Sequence, residues 1–224
     1  LNNFRMLYFA HKLLTEEISK DFRKRLLISD DWMDGIHSTS GDMKEIKRNL
    51  QLGIEEDYEE LSGDIIEILE KDETFKSFAI PAKIFNIIFS RTGKGMYYGP
   101  HIDSPYIFGQ GRRDLSFTIF LNQPNEYQGG ELILNIPPER KSIKLKAGEM
   151  IAYPTKYLHE VKEVTEGERM VCVGWIQSQI RSNEDRESIC LIKEGLNELL
   201  KIHGPSSSIM KISNGINNIH KRLI

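Results

Sequence analysis

The spacing of apolar residues along this chain changes from helical at the N-terminal end to a two-residue alternation in the middle, then back to helical. Arg5–Leu14 reads as a strand leading to Thr15, an N-cap candidate with Glu16 and Glu17 in the following first turn. A helix through about Ile28 follows, with Ile18, Phe22, Arg25/Leu26 and Ser29 marking its period. Asp30–Gly41 is loop-like around Trp32, and Met43–Leu52 and Asp57–Lys71 read as helices. The acidic cluster Glu55–Glu60 is most simply a solvated helix face.

From residue 75 the texture turns to β. Phe75–Ser90 is rich in Phe and Ile, and Gly93, Gly95 and Gly99 break the run before His101. Leu115–Leu121, Glu131–Ile136, Ser142–Leu145 and Glu149–Tyr153 are strand-like, with a turn at Pro124–Gly130. Val161–Val164, a Glu166-Gly167 turn and Arg169–Gln177 read as a hairpin. Asn183–Ile202 returns to helix, Gly204-Pro205 breaks it, and Ile209–Leu223 forms a last one. Many short strands between turn signals, with helices on both sides, predict an α+β chain with a mainly β core, an antiparallel barrel or jelly roll. The expected division is 1–74 as an N-terminal strand and supporting helices, 75–182 as the β core, and 183–224 as a C-terminal helical extension.

Composition narrows the function classes. The 224 residues can bury one sizeable core, and 39% hydrophobic with 28% charged residues is ordinary for a soluble globular protein. The net charge of −3 gives no general attraction to nucleic acid or to an anionic membrane. Two cysteines, Cys172 and Cys190, are too few for a disulfide framework; Cys172 lies in the apolar run Met170–Ile176 and reads as a buried free thiol. Arg5, His11 and Lys12 interrupt Leu1–Leu14, which argues against a signal peptide, and no apolar run is long enough to span a bilayer. Cytoplasmic residence is the expectation.

The candidate chemistry lies in His101-Ile102-Asp103, with His159 and Arg169 further on. On a strand, residues i and i+2 project the same way, so His101 and Asp103 reach into one space. A second imidazole from a distant strand, His159, would complete a two-His, one-carboxylate face of the kind that leaves one side of a non-haem Fe(II) open. Arg169 would hold the far carboxylate of a dicarboxylic co-substrate through a charge-assisted pair. Against this stand plainer readings: a strand His is commonly a hydrogen-bonded structural residue, and an Arg at a strand edge could pair with Glu131 or Glu160. Pro105–Arg113, with two glycines and Arg112-Arg113, reads as a mobile loop at the site mouth or simply a solvated basic loop.

Ordered sequence motifs add to this. Phe89-Ser90-Arg91-Thr92-Gly93 through Tyr98-Gly99-Pro100-His101-Ile102-Asp103, then Arg113-Asp114-Leu115-Ser116, Phe120-Leu121 and Tyr127-Gln128-Gly129-Gly130-Glu131-Leu132, resemble successive strands of the PKHD-type hydroxylases. These are a bacterial branch of the prolyl-hydroxylase-like Fe(II)/2-oxoglutarate oxygenases. Ala147-Gly148-Glu149, Tyr153-Pro154, Leu158-His159, Val164 through Arg169, Trp175-Ile176-Gln177-Ser178 and Arg181 follow in the family's order. Trp32-Met33-Asp34-Gly35 and Lys47-Arg48-Asn49-Leu50-Gln51-Leu52 are similar to its N-terminal signature.

The resemblance implies a double-stranded β-helix core, iron bound by His101, Asp103 and His159, 2-oxoglutarate held through Arg169, O2 as co-substrate and ascorbate as a reductant. It implies hydroxylation of a prolyl, peptidyl or small-molecule substrate, with succinate and CO2 as co-products. The family usually carries Tyr where this chain has Thr92, so a contact to the co-substrate is expected to differ there. Collagen-type prolyl hydroxylases usually place Lys where this chain has Arg169, and the nucleic-acid demethylase branch places a second Arg where it has Trp175. The competing readings are a binding module of the same fold that has lost turnover, and a cupin-like enzyme using another metal. Retention of all three candidate ligands weighs against the first, and Arg169 against both.

Overall fold

The computed structural model describes residues 7–39, 41–54 and 56–224; Arg5 and Met6 of the expected first strand lie outside them. In chain order the first part holds β1 (Phe9–Lys12), α1 (Glu16–Ile28), β2 (Trp32–Asp34), β3 (Lys47–Arg48), β4 (Leu50–Leu52), α2 (Glu56–Lys71) and α3 (Glu73–Ala79). Then come β5 (Pro81–Gly93), β6 (Tyr97–His101), β7 (Tyr106–Ile107), β8 (Gly111–Arg112), β9 (Leu115–Phe120), β10 (Tyr127–Gly129) and β11 (Leu132–Ile136). β12 (Glu139–Ile143), β13 (Glu149–Pro154), β14 (His159–Val161), β15 (Val164–Ser178), α4 (Asn183–His203) and α5 (Ser207–Leu223) complete it.

Two antiparallel sheets face each other. The larger runs β1-β13-β9-β15-β5-β4-β2, with β10 also paired to β15, and the smaller runs β12-β11-β14-β6-β3. Period-two alternation explains why they stack. Along β9, Leu115, Phe117 and Ile119 join the outer cluster under α1, α2 and α3, while Phe120 faces the smaller sheet. Along β15, Met170, Cys172 and Ile176 point outward and Val171 inward. The outer face is closed by Phe22, Leu26, Leu61, Ile65, Leu69 and Phe75. α4 and α5 form a third cluster with Ile80 and Ile180. The result is a jelly-roll sandwich with helices on its outer face, as the strand pattern predicts.

Thr15 caps α1 by accepting from the Ile18 amide, as expected. Elsewhere the structure corrects the sequence reading. Met43–Leu52 is not a helix: Gly41–Lys44 is a 3₁₀ turn, and Lys47–Leu52 supplies β3 and β4, which pair with β6 and β5. Lys, Arg, Leu and Gln are good helix formers, but distant strand partners override that weak preference. Within Asp30–Gly41 lie β2 and a 3₁₀ turn over Gly35–Ser38, and β10 lies inside the expected Pro124–Gly130 turn.

The expected hairpin around Glu166-Gly167 is also absent. β14 belongs to the smaller sheet and β15 to the larger, so the chain crosses between sheets at Lys162-Glu163. Gly167 instead sits inside β15 opposite Tyr127, with φ +71°, and a Cβ there would lie 2.3 Å from the Glu126 carbonyl oxygen.

Candidate metal centre and its cavity

β6 and β14 are register partners, and their alignment sets His101 directly opposite His159. The rings lie 4.2 Å apart, centroid to centroid. Asp103 follows β6 by two residues and points the same way. The Nε2 atom of His101 is 3.7 Å from Asp103 Oδ1, and that of His159 is 3.8 Å from Oδ2. One ligand atom from each residue fits within 4.8 Å, an arrangement that one metal ion can bridge.

Hydrogen bonds fix which atoms face that point. His101 Nδ1 donates to the Gly99 carbonyl (2.8 Å) and His159 Nδ1 to the Tyr157 carbonyl (3.0 Å). A carbonyl only accepts, so each Nδ1 carries the proton and each Nε2 presents a lone pair. Ser116 Oγ (2.7 Å) and Trp175 Nε1 (2.9 Å) both donate to Asp103 Oδ2, leaving Oδ1 for a metal. Burial opposes ionisation of Asp103, yet His159, Trp175 and Ser116 hold its carboxyl below the ordinary range. Tyr98 stacks on His101 at 3.7 Å, and Tyr153 meets His159 edge-on.

Arg169 enters the same space from the larger sheet. It is two residues before Val171 on the inner face of β15, is only 3% exposed, and faces Thr92 in register. Neither Glu131 nor Glu160 forms an ion pair with it; Glu160 is taken by Arg140 and Lys162. Among the described residues its Nε has no hydrogen-bond partner, and the groups that favour its charge are the phenols of Tyr127 and Tyr153 and, more weakly, the Glu131 carboxylate. Burial lowers its pKa, but a guanidinium still remains charged near neutrality. A cavity of about 100 Å³ connects Arg169, Thr92, Tyr153 and the His-Asp-His cluster.

The comparisons fit this geometry. Residues 87–177 match the model of the 2OG-Fe(II) oxygenase superfamily. A PKHD-type hydroxylase of Prochlorococcus marinus strain MIT 9313 is 43% identical over 216 residues, 96% of this chain and 97% of that protein. Another, from strain MIT 9211, is 40% identical over 220 residues, 97% of this chain and 99% of its own length. The chain belongs to the PKHD-type hydroxylases. Solved structures with the same fold include a Pseudomonas putida prolyl-4-hydroxylase, at TM-score 0.54 and 16% identity over 76% of this chain and 92% of that one. A Trichoplax adhaerens prolyl hydroxylase, solved with a hypoxia-inducible-factor peptide fragment, has TM-score 0.55 and 15% identity over 82% and 86% of the two chains.

In this PKHD-type hydroxylase, then, all four residues singled out from the sequence meet in one cavity. Trp175, Ser116, Lys47 and Asn49 sit in the motifs that carry the resemblance, but the sequence attaches no role at the site to them. Trp175 stands six residues beyond Arg169 on one strand, so period two could have placed it on the same face. Ser116 was hidden inside an apolar run. Lys47 in β3, Asn49 between β3 and β4, and Gln51 in β4 line the cavity at alternate positions, a pattern lost when the segment is read as a helix. Behind that wall, Ser38 Oγ in the segment before β3 accepts from Lys47 Nζ (2.6 Å). Burial pulls the Lys47 ammonium down to about 8. Arg91, next to Thr92 on β5, is bound by Glu168 and does not line the cavity.

Pro105–Arg113 is not an unstructured loop but a small hairpin, β7 with β8, bearing the exposed side chains of Tyr106 and Phe108. Arg112 is structural: it makes a two-pronged pair with buried Asp114 (2.7 and 2.8 Å) and donates to the Ser178 carbonyl. Arg112→Ala would leave that carboxylate without its cation, and we expect a stability loss of about 2–4 kcal/mol. Urea unfolding checks this; an unchanged midpoint would show that water replaces the guanidinium freely.

Burial, then His159, pulls the His101 imidazole down to about 4, against the opposing influence of the Gly99 carbonyl and Asp103. The folded value thus lies below the unfolded one, so the unfolded chain binds the extra proton first as pH falls. Stability present above about pH 6.5 should be lost between about 6.5 and 4, on the order of 2–3 kcal/mol from this group. In metal-free protein, the drop in urea midpoint from about pH 7.5 to 4.5 should be smaller for His101→Asn than for the parent. Equal drops would refute the assignment.

Proposed function

We propose that His101 Nε2, Asp103 Oδ1 and His159 Nε2 hold Fe(II), and that Arg169 binds the C5 carboxylate of 2-oxoglutarate. The reaction proposed is hydroxylation of a peptidyl or small-molecule C–H bond, with succinate and CO2 as co-products. The observation that carries this reading is the meeting, in one buried cavity, of three convergent donors and an arginine that forms no ion pair among the described residues. When bound, iron and 2-oxoglutarate supply the O2-dependent oxidising chemistry.

The chain's own residues position and insulate that chemistry. The Gly99 and Tyr157 carbonyls lock the two imidazoles in the neutral tautomer that a metal requires. Ser116 and Trp175 restrain Asp103 to one free oxygen. Tyr98, Tyr153 and Val171 surround the centre with apolar surface, which strengthens the pull of Arg169 on an incoming carboxylate. Ascorbate is proposed as the reductant that keeps the metal ferrous. Cys172 and Cys190 are both free and buried, which suits the proposed reducing, cytoplasmic location.

The test is succinate release from 2-oxoglutarate in the presence of Fe(II) and O2, across a panel of peptides and metabolites. A slow release without substrate, raised by the true substrate, is expected. No release in any mixture, together with no 2-oxoglutarate binding to the metal-loaded protein, would overturn the reading.

A further inference from the structure

Once Arg169 is assigned to the co-substrate, the cavity still holds a second positive pole. Lys47 is 6% exposed and lines the cavity; its ammonium donates to the Ser38 hydroxyl and lies 5.0 Å from the Tyr98 ring, and the carboxylates that favour its charge, Asp103 and Asp34, form no ion pair with it. Arg113 does not itself line the cavity but stacks on Trp175, which does, with its guanidinium 3.9 Å from the ring centroid; among the described residues its buried Nε has no hydrogen-bond partner. Both cations lie within electrostatic reach of Asp103 and of each other. Neither forms an ion pair among the described residues, although Lys47 is buried and Arg113 half-buried, where an unpaired cation costs most.

Asp103 does not account for them. Its Oδ2 is already saturated by Ser116 and Trp175, and its charge is offset by any cation held in the site. A buried ammonium with no ion-pair partner is destabilising, so a purely structural pocket would favour an apolar side chain at position 47. Asn49 extends the polar wall: its Nδ2 donates to Ser90 Oγ (2.7 Å), while its buried Oδ1 has no partner.

We infer that Lys47 and Arg113 form a substrate subsite for an anionic group, so that the molecule oxidised at this centre carries a carboxylate or phosphate beside the bond attacked. This rests on the oxygenase reading of the cavity and names the substrate class that reading leaves open. Arg113, stacked on Trp175, offers a planar fork, and Lys47 a point charge on the cavity wall. Together they orient an anionic substrate over the open face of the metal site, while Arg169 keeps the co-substrate at the opposite end.

The experiment uses protein loaded with Mn(II), which occupies oxygen and nitrogen sites without supporting turnover, saturated with 2-oxoglutarate and titrated with inorganic phosphate. Phosphorus-31 relaxation reports whether phosphate is held near the paramagnetic ion. A saturable enhancement is expected, weakened roughly tenfold or more by Lys47→Met and by Arg113→Gln, and largely kept by Lys47→Arg. The melting temperature of Lys47→Met should hold or rise, whereas a structural role for the ammonium predicts a fall. If Mn(II) and 2-oxoglutarate bind but phosphate gives no saturable effect, or binds both neutralised variants as it binds the parent, the subsite is wrong and the oxygenase reading stands. If neither Mn(II) nor 2-oxoglutarate binds, both fall together. In the succinate assay, a neutral compound that outperforms every anionic one would also overturn the inference.

Discussion

Asp103→Ala is expected to bring 2-oxoglutarate turnover down to background while leaving the fold intact, and His101→Ala and His159→Ala to do the same. Each substitution removes one of only three convergent donors, and no other carboxylate, imidazole or thiolate joins that cluster among the described residues. Asp103 is the most informative of the three, since its loss removes the site's negative charge as well as a ligand. It also strands the Trp175 N–H and the Ser116 hydroxyl, each worth about 1 kcal/mol of stability, too little to unfold a domain of this size. Metal stoichiometry and succinate release should be read on the same sample. Full activity from Asp103→Ala with one iron still bound would sink the ligand assignment; weak residual binding by the two imidazoles would not.

The second large effect is expected from Arg169→Ala, which should raise the 2-oxoglutarate requirement about 30-fold or more with little change in iron affinity. A desolvated carboxylate that loses its cation is destabilised by roughly 2–5 kcal/mol, and Arg169 is buried among phenols that cannot replace its charge. Arg169→Lys should fall between, keeping the charge but losing the planar fork. Calorimetric titration of metal-loaded protein separates this from an effect on chemistry. An unchanged titration would transfer the role to the other buried cation of the cavity, Lys47.

The period-two alternation of β9, β13 and β15 made the jelly roll legible in the sequence, and the i, i+2 spacing of His101 and Asp103 did the same for half of the donor set. His159 and Arg169 were readable because each falls on a strand whose other inward residues are apolar. What escaped depends on partners far away in sequence. β3 and β4 exist because Lys47 pairs with Tyr98 and Leu50 with Arg91, and nothing local in Lys47–Leu52 announces that. The crossing from β14 to β15 escaped because Glu166-Gly167 has turn chemistry, and Gly167 serves instead to admit Tyr127 of β10. Thr92 was singled out as a departure, and it lies opposite Arg169 in register, where a shorter side chain leaves more of the cavity open.

The pairing of His101 with His159 has a consequence for the lifetime of the protein. Both imidazoles belong to the smaller sheet, whereas Asp103 is tied by Ser116 and Trp175 to the larger one. An ion shared by the three would therefore act as a clasp between the sheets at this end of the sandwich, where the core gives way to a cavity. Chelation should speed amide hydrogen exchange in β6 and β14 before it touches the clusters under α1 and α2. A cell short of iron would then hold this protein in a form that frays at one end and reaches proteases sooner, so that metal supply would set its abundance as well as its activity.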